Sequence, residues 1–229
     1  MPNQITHNGS KTTPRPHDLL WITGVEGLAT DQLLPTWATA EWLAVAPVVI
    51  RRETVTDCAW LPVGLRGTTR SERFKALLSV DAIKHCVQPE FLVQTEAWNI
   101  HSQFGAFPAV KTLASMASSL TNMGLHWGPT GSVGFALATG LSVLRDESDL
   151  DIVLHAPSPI SPEKMSLLQD ILDSQMCRID LQIDTGSGGF AFAEWAAGRK
   201  NILLKTGNGP VLTADPWSES HQLDTHRLP

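Results

Sequence analysis

Gly131-Ser132, then Ser148-Asp149-Leu150-Asp151, then Arg178-Ile179-Asp180-Leu181-Gln182-Ile183-Asp184-Thr185 are the segments on which the reading of this chain turns. The second alternates polar and apolar residues and runs on into Ile152-Val153-Leu154, which predicts a strand over 148–154. Residues two apart on a strand share a face at a spacing of roughly 7 Å. Asp149 and Asp151 therefore face one way, and Leu150 and Ile152 face the core. Two carboxylates held so close repel each other unless a cation lies between them, and a hard cation with oxygen ligands, Mg²⁺ above all, suits them. A further strand over 178–185 puts Ile179, Leu181 and Ile183 on one side and Asp180, Gln182 and Asp184 on the other. Asp180 is the expected third carboxylate, with Asp184 in reserve. Three such groups can hold two metal ions about 4 Å apart, as in-line phosphoryl displacement requires.

Gly131-Ser132 fits the same chemistry. A glycine lets backbone approach a phosphate, and the helix that follows offers free N–H groups to its oxygens. Ser132 adds a hydroxyl, Ser148 is a further polar contact beside the carboxylates, and Lys205 on a later strand is placed to neutralise a triphosphate from the other side. Taken singly these pieces are weak, since a lone Asp-x-Asp is often an exposed strand edge and Asp180 and Asp184 suit a solvated face. The ordered set is what carries specificity.

Working outward, Ala109–Met123 shows an apolar face of Leu113, Met116, Ala117 and Leu120 and is an expected helix ended by Gly124. Leu125–Pro129 is a short strand, Gly131–Thr139 a helix stopped by Gly140, and Ser161-Pro162-Glu163 opens a helix that runs to about Met176. Asn201–Thr206 is the expected last strand. In the first half, Asp31–Leu43 reads as helical, Val48–Ile50 as a strand, and Arg66–Lys75 as a basic loop entering a helix capped by Thr69 or Ser71. Residues 1–16 are a polar lead-in. Arg66, Arg70 and Arg73, together with Arg51 and Arg52, form the densest positive stretch. They suit substrate phosphates or the acidic face of a protein partner.

The bulk figures agree with an enzyme of modest size. The chain has 229 residues, of which 42% are hydrophobic and 17% charged, enough apolar material for a core and too little charge for disorder. The net charge of −6 lies entirely in residues 116–229, and such acidity argues against nonspecific nucleic-acid binding. Cys58, Cys86 and Cys177 form no CxxC and are odd in number, which predicts reduced thiols and a cytoplasmic setting. No apolar run reaches the length of a membrane span.

At these residues the sequence resembles the nucleotidyltransferase superfamily, with its Gly-Ser, its Asp-x-Asp strand and a third acid on a neighbouring strand. Trp127–Phe135, Ala138-Thr139-Gly140 and Ser148–Asp151 are similar to one family within it, the malonate decarboxylase holo-acyl-carrier-protein synthases, or phosphoribosyl-dephospho-CoA transferases. Arg15–Trp21, Pro62–Gly67 with Arg70 and Arg73-Phe74, Asp180-Leu181-Gln182 and Gly209-Pro210 extend the likeness over most of the chain. One departure from the wider superfamily is the sixteen residues between Ser132 and Asp149, absorbed by a loop at Leu141–Glu147.

The resemblance implies an α/β (α+β) protein: a polymerase-β-like nucleotidyltransferase domain with a mixed sheet over 116–229, preceded by an α+β recognition domain over 1–115. It implies transfer of the phosphoribosyl-dephospho-CoA group from triphosphoribosyl-dephospho-CoA to a serine of the apo acyl-carrier subunit of malonate decarboxylase, with loss of pyrophosphate. Asp149, Asp151 and Asp180 would bind Mg²⁺, Asp180 would take the serine proton, and Gly131 and Ser132 would hold the triphosphate. Two alternatives remain: transfer of AMP from ATP to another acceptor, and a noncatalytic binding protein of the same fold.

Overall fold

The computed structural model describes residues 5–7, 10–175 and 177–218. Asn3, Gln4 and Asn8 of the polar lead-in, Met176, and the tail beyond 218 lie outside the described residues. A short antiparallel hairpin, β1 (Ile5–His7) and β2 (Ser10–Thr12), precedes the first sheet. That sheet comprises β3 (Leu19–Ile22), β4 (Leu28–Ala29), β5 (Val48–Ile50), β6 (Trp60–Arg66), β7 (Arg73–Ser79) and β8 (Ile83–Val87). Its order is β4-β7-β6-β5-β3-β8, and every pairing is antiparallel.

Period-two alternation gives this sheet two apolar faces. Leu20, Val48, Ile50, Val63, Leu65 and Leu78 join Leu43 of helix α1 (Ala40–Val45) in one core. Leu19, Val49 and Val87 point the opposite way and pack on the second half of the chain. The sheet is thus buried on both sides, and its second face is what joins the halves.

The second half begins with α2 (Pro89–Gln94), α3 (Ala97–Ile100) and α4 (Pro108–Asn122). It continues through β9 (His126–Pro129), α5 (Gly131–Thr139), β10 (Leu150–His155), α6 (Pro162–Asp173) and β11 (Ile179–Asp184). Then follow β12 (Gly188–Ala191), α7 (Phe192–Ala196), β13 (Ile202–Thr206) and β14 (Gly209–Thr213). The sheet order is β14-β13-β12-β11-β10-β9. Only β10 and β11 run parallel, and α6 supplies the crossover that a parallel pair needs. The result is a mixed α/β chain built on two sheets.

Several expectations are corrected. The helix expected over Asp31–Leu43 is confined to Ala40–Val45, because Thr39 is the residue whose hydroxyl accepts from Trp42 N–H (3.2 Å), and Pro35 lies in a turn closed by Ala38 N–H. Arg66–Lys75 does not enter a helix. Arg73 starts β7, which pairs residue for residue with β6, and burial of Ala76 and Leu78 follows the strand period. The side chain and carbonyl of Glu72 close the intervening turn by accepting from the N–H groups of Thr69 (2.8 Å) and Gly67 (3.0 Å). Asn201–Thr206 is not the last strand, since β14 pairs beyond it. Residue 115 falls inside α4, whose Val110, Leu113, Met116 and Leu120 all lie in the second core.

Charged contacts bridge the halves at the inner end of β11. Arg52 donates to Asp184 (2.7 Å) and Arg15 to Glu90 (2.7 Å), with His155 Nε2 3.3 Å from Glu90. Burial alone would raise the pKa of Asp184, but the charge and hydrogen bond of Arg52 hold it below the usual carboxylate value. Removing one partner leaves the other buried and unpaired. Asp184→Ala is therefore expected to lower unfolding stability by about 3 kcal/mol in urea titration. Leu154→Ala, a truncation of a fully buried strand residue, is expected to cost about 2–5 kcal/mol in the same assay.

Candidate active site

The loop from Gly140 to Ser148 delivers the chain to β10 through a tight turn, in which Ser148 Oγ accepts from Arg145 N–H (3.0 Å). The hydroxyl of Ser148 is thus engaged in shaping the turn. The strand starts at Leu150, two residues later than expected, so Asp149 stands at its mouth and Asp151 within it. Leu150, Ile152 and Leu154 are fully buried, which fixes Asp151 on the opposite face. The parallel register sets Asp151 directly beside Asp180, at the usual interstrand distance of about 4.8 Å between backbones.

Gly131 meets this strand from the other side. Its φ of +57° lies in the left-handed region, and a Cβ there would come within 1.8 Å of Asp151 Oδ2. Both the backbone conformation and the space demand glycine. Thr130 N–H donates to the Asp151 carbonyl (2.8 Å), so the first turn of α5 is tied to the carboxylate strand. A second close approach, that of Gly134 to the Pro129 carbonyl, lets α5 pack tightly on β9.

Across from the carboxylates stands the tip of the β6–β7 hairpin. Arg66 and Arg73 are directly opposed in the ladder, and Arg70 lies in the turn between them. Like charges so paired repel. Arg66 is 8% exposed; burial, with Arg73 adding to it, lowers its pKa to about 10 while Asp151 acts the other way. Its guanidinium sits 5.0 Å from the centre of the Phe135 ring, and its carbonyl accepts from Trp42 Nε1 (2.7 Å).

Between these two banks lies a cleft of about 640 Å³, lined by Asp149, Asp151 and Asp180, by Arg66, Arg70 and Arg73, and by Gly131, Ser132 and Ser148. Nine of the ten sequence-derived site residues thus converge. The tenth, Lys205, is exposed on β13, pairs with Gly189 and Pro210, and lies outside the cleft lining. Asp184, the reserve ligand, is committed to Arg52 at the far end of β11, and Arg51 pairs with Glu53. Sequence reasoning missed Arg145, Asp146, Glu147 and Arg178, which also line the cleft. Arg178 was accessible through register: its carbonyl accepts from Leu150 N–H, so it stands beside Asp149 just ahead of the parallel pair.

Electrostatics mark Asp151 as the strained member. Burial raises its pKa, with Asp149 and Asp180 adding to the effect, to about 6. The carboxylates fit a hard cation by donor type. Among the described residues, however, no three His, Cys, Asp or Glu side chains are gathered into a metal cage.

Comparison with known proteins adds the decisive observation. The family model described as "Phosphoribosyl-dephospho-CoA transferase MdcG C-terminal domain" matches residues 98–216, and its N-terminal counterpart matches 15–89. The chain belongs to the phosphoribosyl-dephospho-CoA transferase family. A Pseudomonas putida member is 44% identical over 205 residues, covering 90% of this chain and 96% of the relative. Members from Klebsiella pneumoniae strain 342 (40% over 206 residues, 90% and 97% covered) and Azotobacter vinelandii (38% over 217 residues, 92% and 97%) carry the same name. No solved structure matches. The two family segments separate where β8 gives way to α2, and each supplies one bank of the cleft: arginines from the first, carboxylates from the second.

The raised pKa of Asp151 has a consequence for stability. In the unfolded chain it titrates near its ordinary value of 3.8, and in the fold near 6, so the folded state favours the proton. Stability from this group is full below about pH 4 and is lost as pH rises through 6. Asp151→Asn is expected to stabilise the protein by on the order of 2 kcal/mol at pH 8 in EDTA, and by nothing at pH 4. Urea titrations at the two pH values check this; equal differences at both would show that Asp151 is not strained.

Proposed function

We propose that this protein transfers the phosphoribosyl-dephospho-CoA group of triphosphoribosyl-dephospho-CoA to a serine hydroxyl of the apo acyl-carrier subunit of malonate decarboxylase, releasing pyrophosphate. The observation that carries the reading is the cleft in which three aspartates face three arginines, in a chain whose relatives are named for this group transfer. We further propose a polymerase-β-like nucleotidyltransferase arrangement for the second half, supported by Gly-Ser at a helix start, Asp149-x-Asp151 at a strand start and Asp180 on the parallel neighbour.

In this reading Asp149, Asp151 and Asp180 hold Mg²⁺, which when bound neutralises the phosphate charge and acidifies the attacking hydroxyl. The serine oxygen attacks the phosphorus bearing the ribose, the bond from that phosphorus to the pyrophosphate oxygen breaks, and pyrophosphate leaves. Asp180, the partner of Asp151 in the parallel pair, takes the serine proton. Arg66, Arg70 and Arg73 bind the departing phosphates, and the open N–H groups at the start of α5 face the same anions beside Gly131 and Ser132. Positioning and charge supply most of the rate. In this scheme the part before α2 serves recognition and the part from α2 onward catalysis, and the reaction belongs to the cytoplasm. Among the described residues no helix is long and apolar enough to cross a membrane.

Intact-mass measurement of the apo carrier tests the reading. Incubation with the protein, Mg²⁺ and triphosphoribosyl-dephospho-CoA is expected to add the mass of the phosphoribosyl-dephospho-CoA group, and EDTA to prevent it. Asp149→Ala is expected to slow transfer by roughly 10²-fold or more with the thermal midpoint retained. Mass gain only with ATP would transfer the case to adenylylation, and near-normal activity of Asp149→Ala would sink the metal mechanism.

A further inference from the structure

Beside the carboxylate cleft lies a smaller cavity of about 230 Å³, enclosed between the first sheet and the start of α5. Its floor is a single row across four strands, in which Val87, Leu19, Val49 and Gly64 are successive ladder partners. Direct partners in antiparallel strands present their side chains on the same face. Three of the four fill that face with aliphatic groups, and the fourth leaves it bare. A Cβ on Gly64 would meet nothing closer than the stem of Arg51 at 3.6 Å, an ordinary contact. The space above Gly64 is therefore left open by its neighbours and not claimed by them. Pro129, Gly131 and Phe135 close the cavity from the opposite side.

This cavity is continuous with the reaction cleft. Arg66, Arg73 and Gly131 border both. Arg66 is buried, and among the described residues its Nε–H has no acceptor. An arginine donates only, so that group calls for a ligand atom that accepts.

We propose that the cavity is the adenine pocket of the enzyme, taking the purine ring of the dephospho-CoA portion while the triphosphate lies in the neighbouring cleft. The inference rests on the function proposed above. Its volume is below the roughly 300–1,000 Å³ of sites that take a whole drug-sized ligand, and suits one planar ring. The walls are mostly apolar, as a ring face requires, and the buried Arg66 Nε–H, with His17 and Arg73 also on the lining, matches the acceptor nitrogens at a purine edge. A pantetheine arm carries amides along its length, and walls formed largely by Leu19, Val49, Val87 and Leu92 leave most of them unsatisfied. Arg66, with its plane near Phe135 and its charge toward Asp151, lies at the joint between base and phosphates.

Calorimetry on the full chain tests this with four probes: 3′-dephospho-CoA, adenosine, 4′-phosphopantetheine and inorganic tripolyphosphate. Adenosine is expected to displace dephospho-CoA, and phosphopantetheine is not. Gly64→Leu, which fills the bare position, is expected to weaken dephospho-CoA and adenosine at least tenfold and to leave tripolyphosphate binding and the thermal midpoint unchanged. Val49→Phe makes the same cut should Gly64→Leu fail to fold. Unchanged dephospho-CoA affinity in a folded pocket-filling variant overturns the proposal, as does displacement by phosphopantetheine in place of adenosine. Adenosine binding with no transfer to the carrier would uphold the pocket while removing the reaction proposed above, so the two can fail separately.

Discussion

Everything in the site hangs on one pairing, the parallel register of β10 with β11 that sets Asp151 beside Asp180. Water would favour the two carboxylates apart. They are held together because Leu150, Ile152 and Leu154 on one strand, and Leu181 and Ile183 on the other, are buried on the opposite face. A slip of one residue would exchange the faces and expose that whole apolar set, so hydrophobic burial enforces an electrostatically unfavourable juxtaposition. Gly131 completes the constraint: no side chain fits between α5 and Asp151. The helix start and the acidic strand are thus locked at contact distance.

The first sheet answers that negative bank with a positive one. Because it is apolar on both faces, it packs α1 on one side and the second half of the chain on the other. That second contact carries the β6–β7 hairpin to the cleft, so Arg66, Arg70 and Arg73 reach Asp149 and Asp151 from about eighty residues away in sequence, and Asp180 from more than a hundred. Each bank repels itself and attracts the other. Among the described residues, neither the arginine pair nor the aspartate pair is neutralised by a direct ion pair across the gap. An anion paired with a cation would satisfy both banks at once, which is why the mechanism proposed above places a metal ion and the substrate phosphates between them.

What could be read from the sequence followed from how local each signal was. The helices at 108–122 and 131–139 carry their own stops in Gly124 and Gly140, both at positive φ, and the strand at 179–184 carries clean alternation. The Gly-Ser, Asp-x-Asp and Asp set was legible because its spacing and order hold it together. The β6–β7 hairpin was not. Its Thr69 and Ser71 look like helix caps, while the feature that decides the matter is Leu65 pairing with Phe74, and a ladder partner is not written in the residues themselves. Arg145 lies in an irregular loop without periodicity, and the small cavity is assembled from six separate stretches of chain. Lys205 illustrates the opposite error: a plausible charge on a strand of the right sheet, two strands removed from Asp180 and three from Asp151 by sheet order.

β11 itself separates structure from function. Asp180 and Asp184 share one face of one strand, four residues apart, with Asp180 the expected ligand and Asp184 in reserve. At the inner end Asp184 is 5% exposed, bonded to Arg52 and to Gly186 N–H, and its charge is fully met by the protein. At the outer end Asp180 lies beside an aspartate, with a second one near and its arginines across open space. A carboxylate satisfied by its own protein stabilises the join between halves and has no capacity left for a ligand. One left in repulsion costs stability and retains its capacity, and such unrelieved charge in a cleft is where binding free energy can be gained. The choice between the two aspartates therefore follows from which of them the fold has already neutralised.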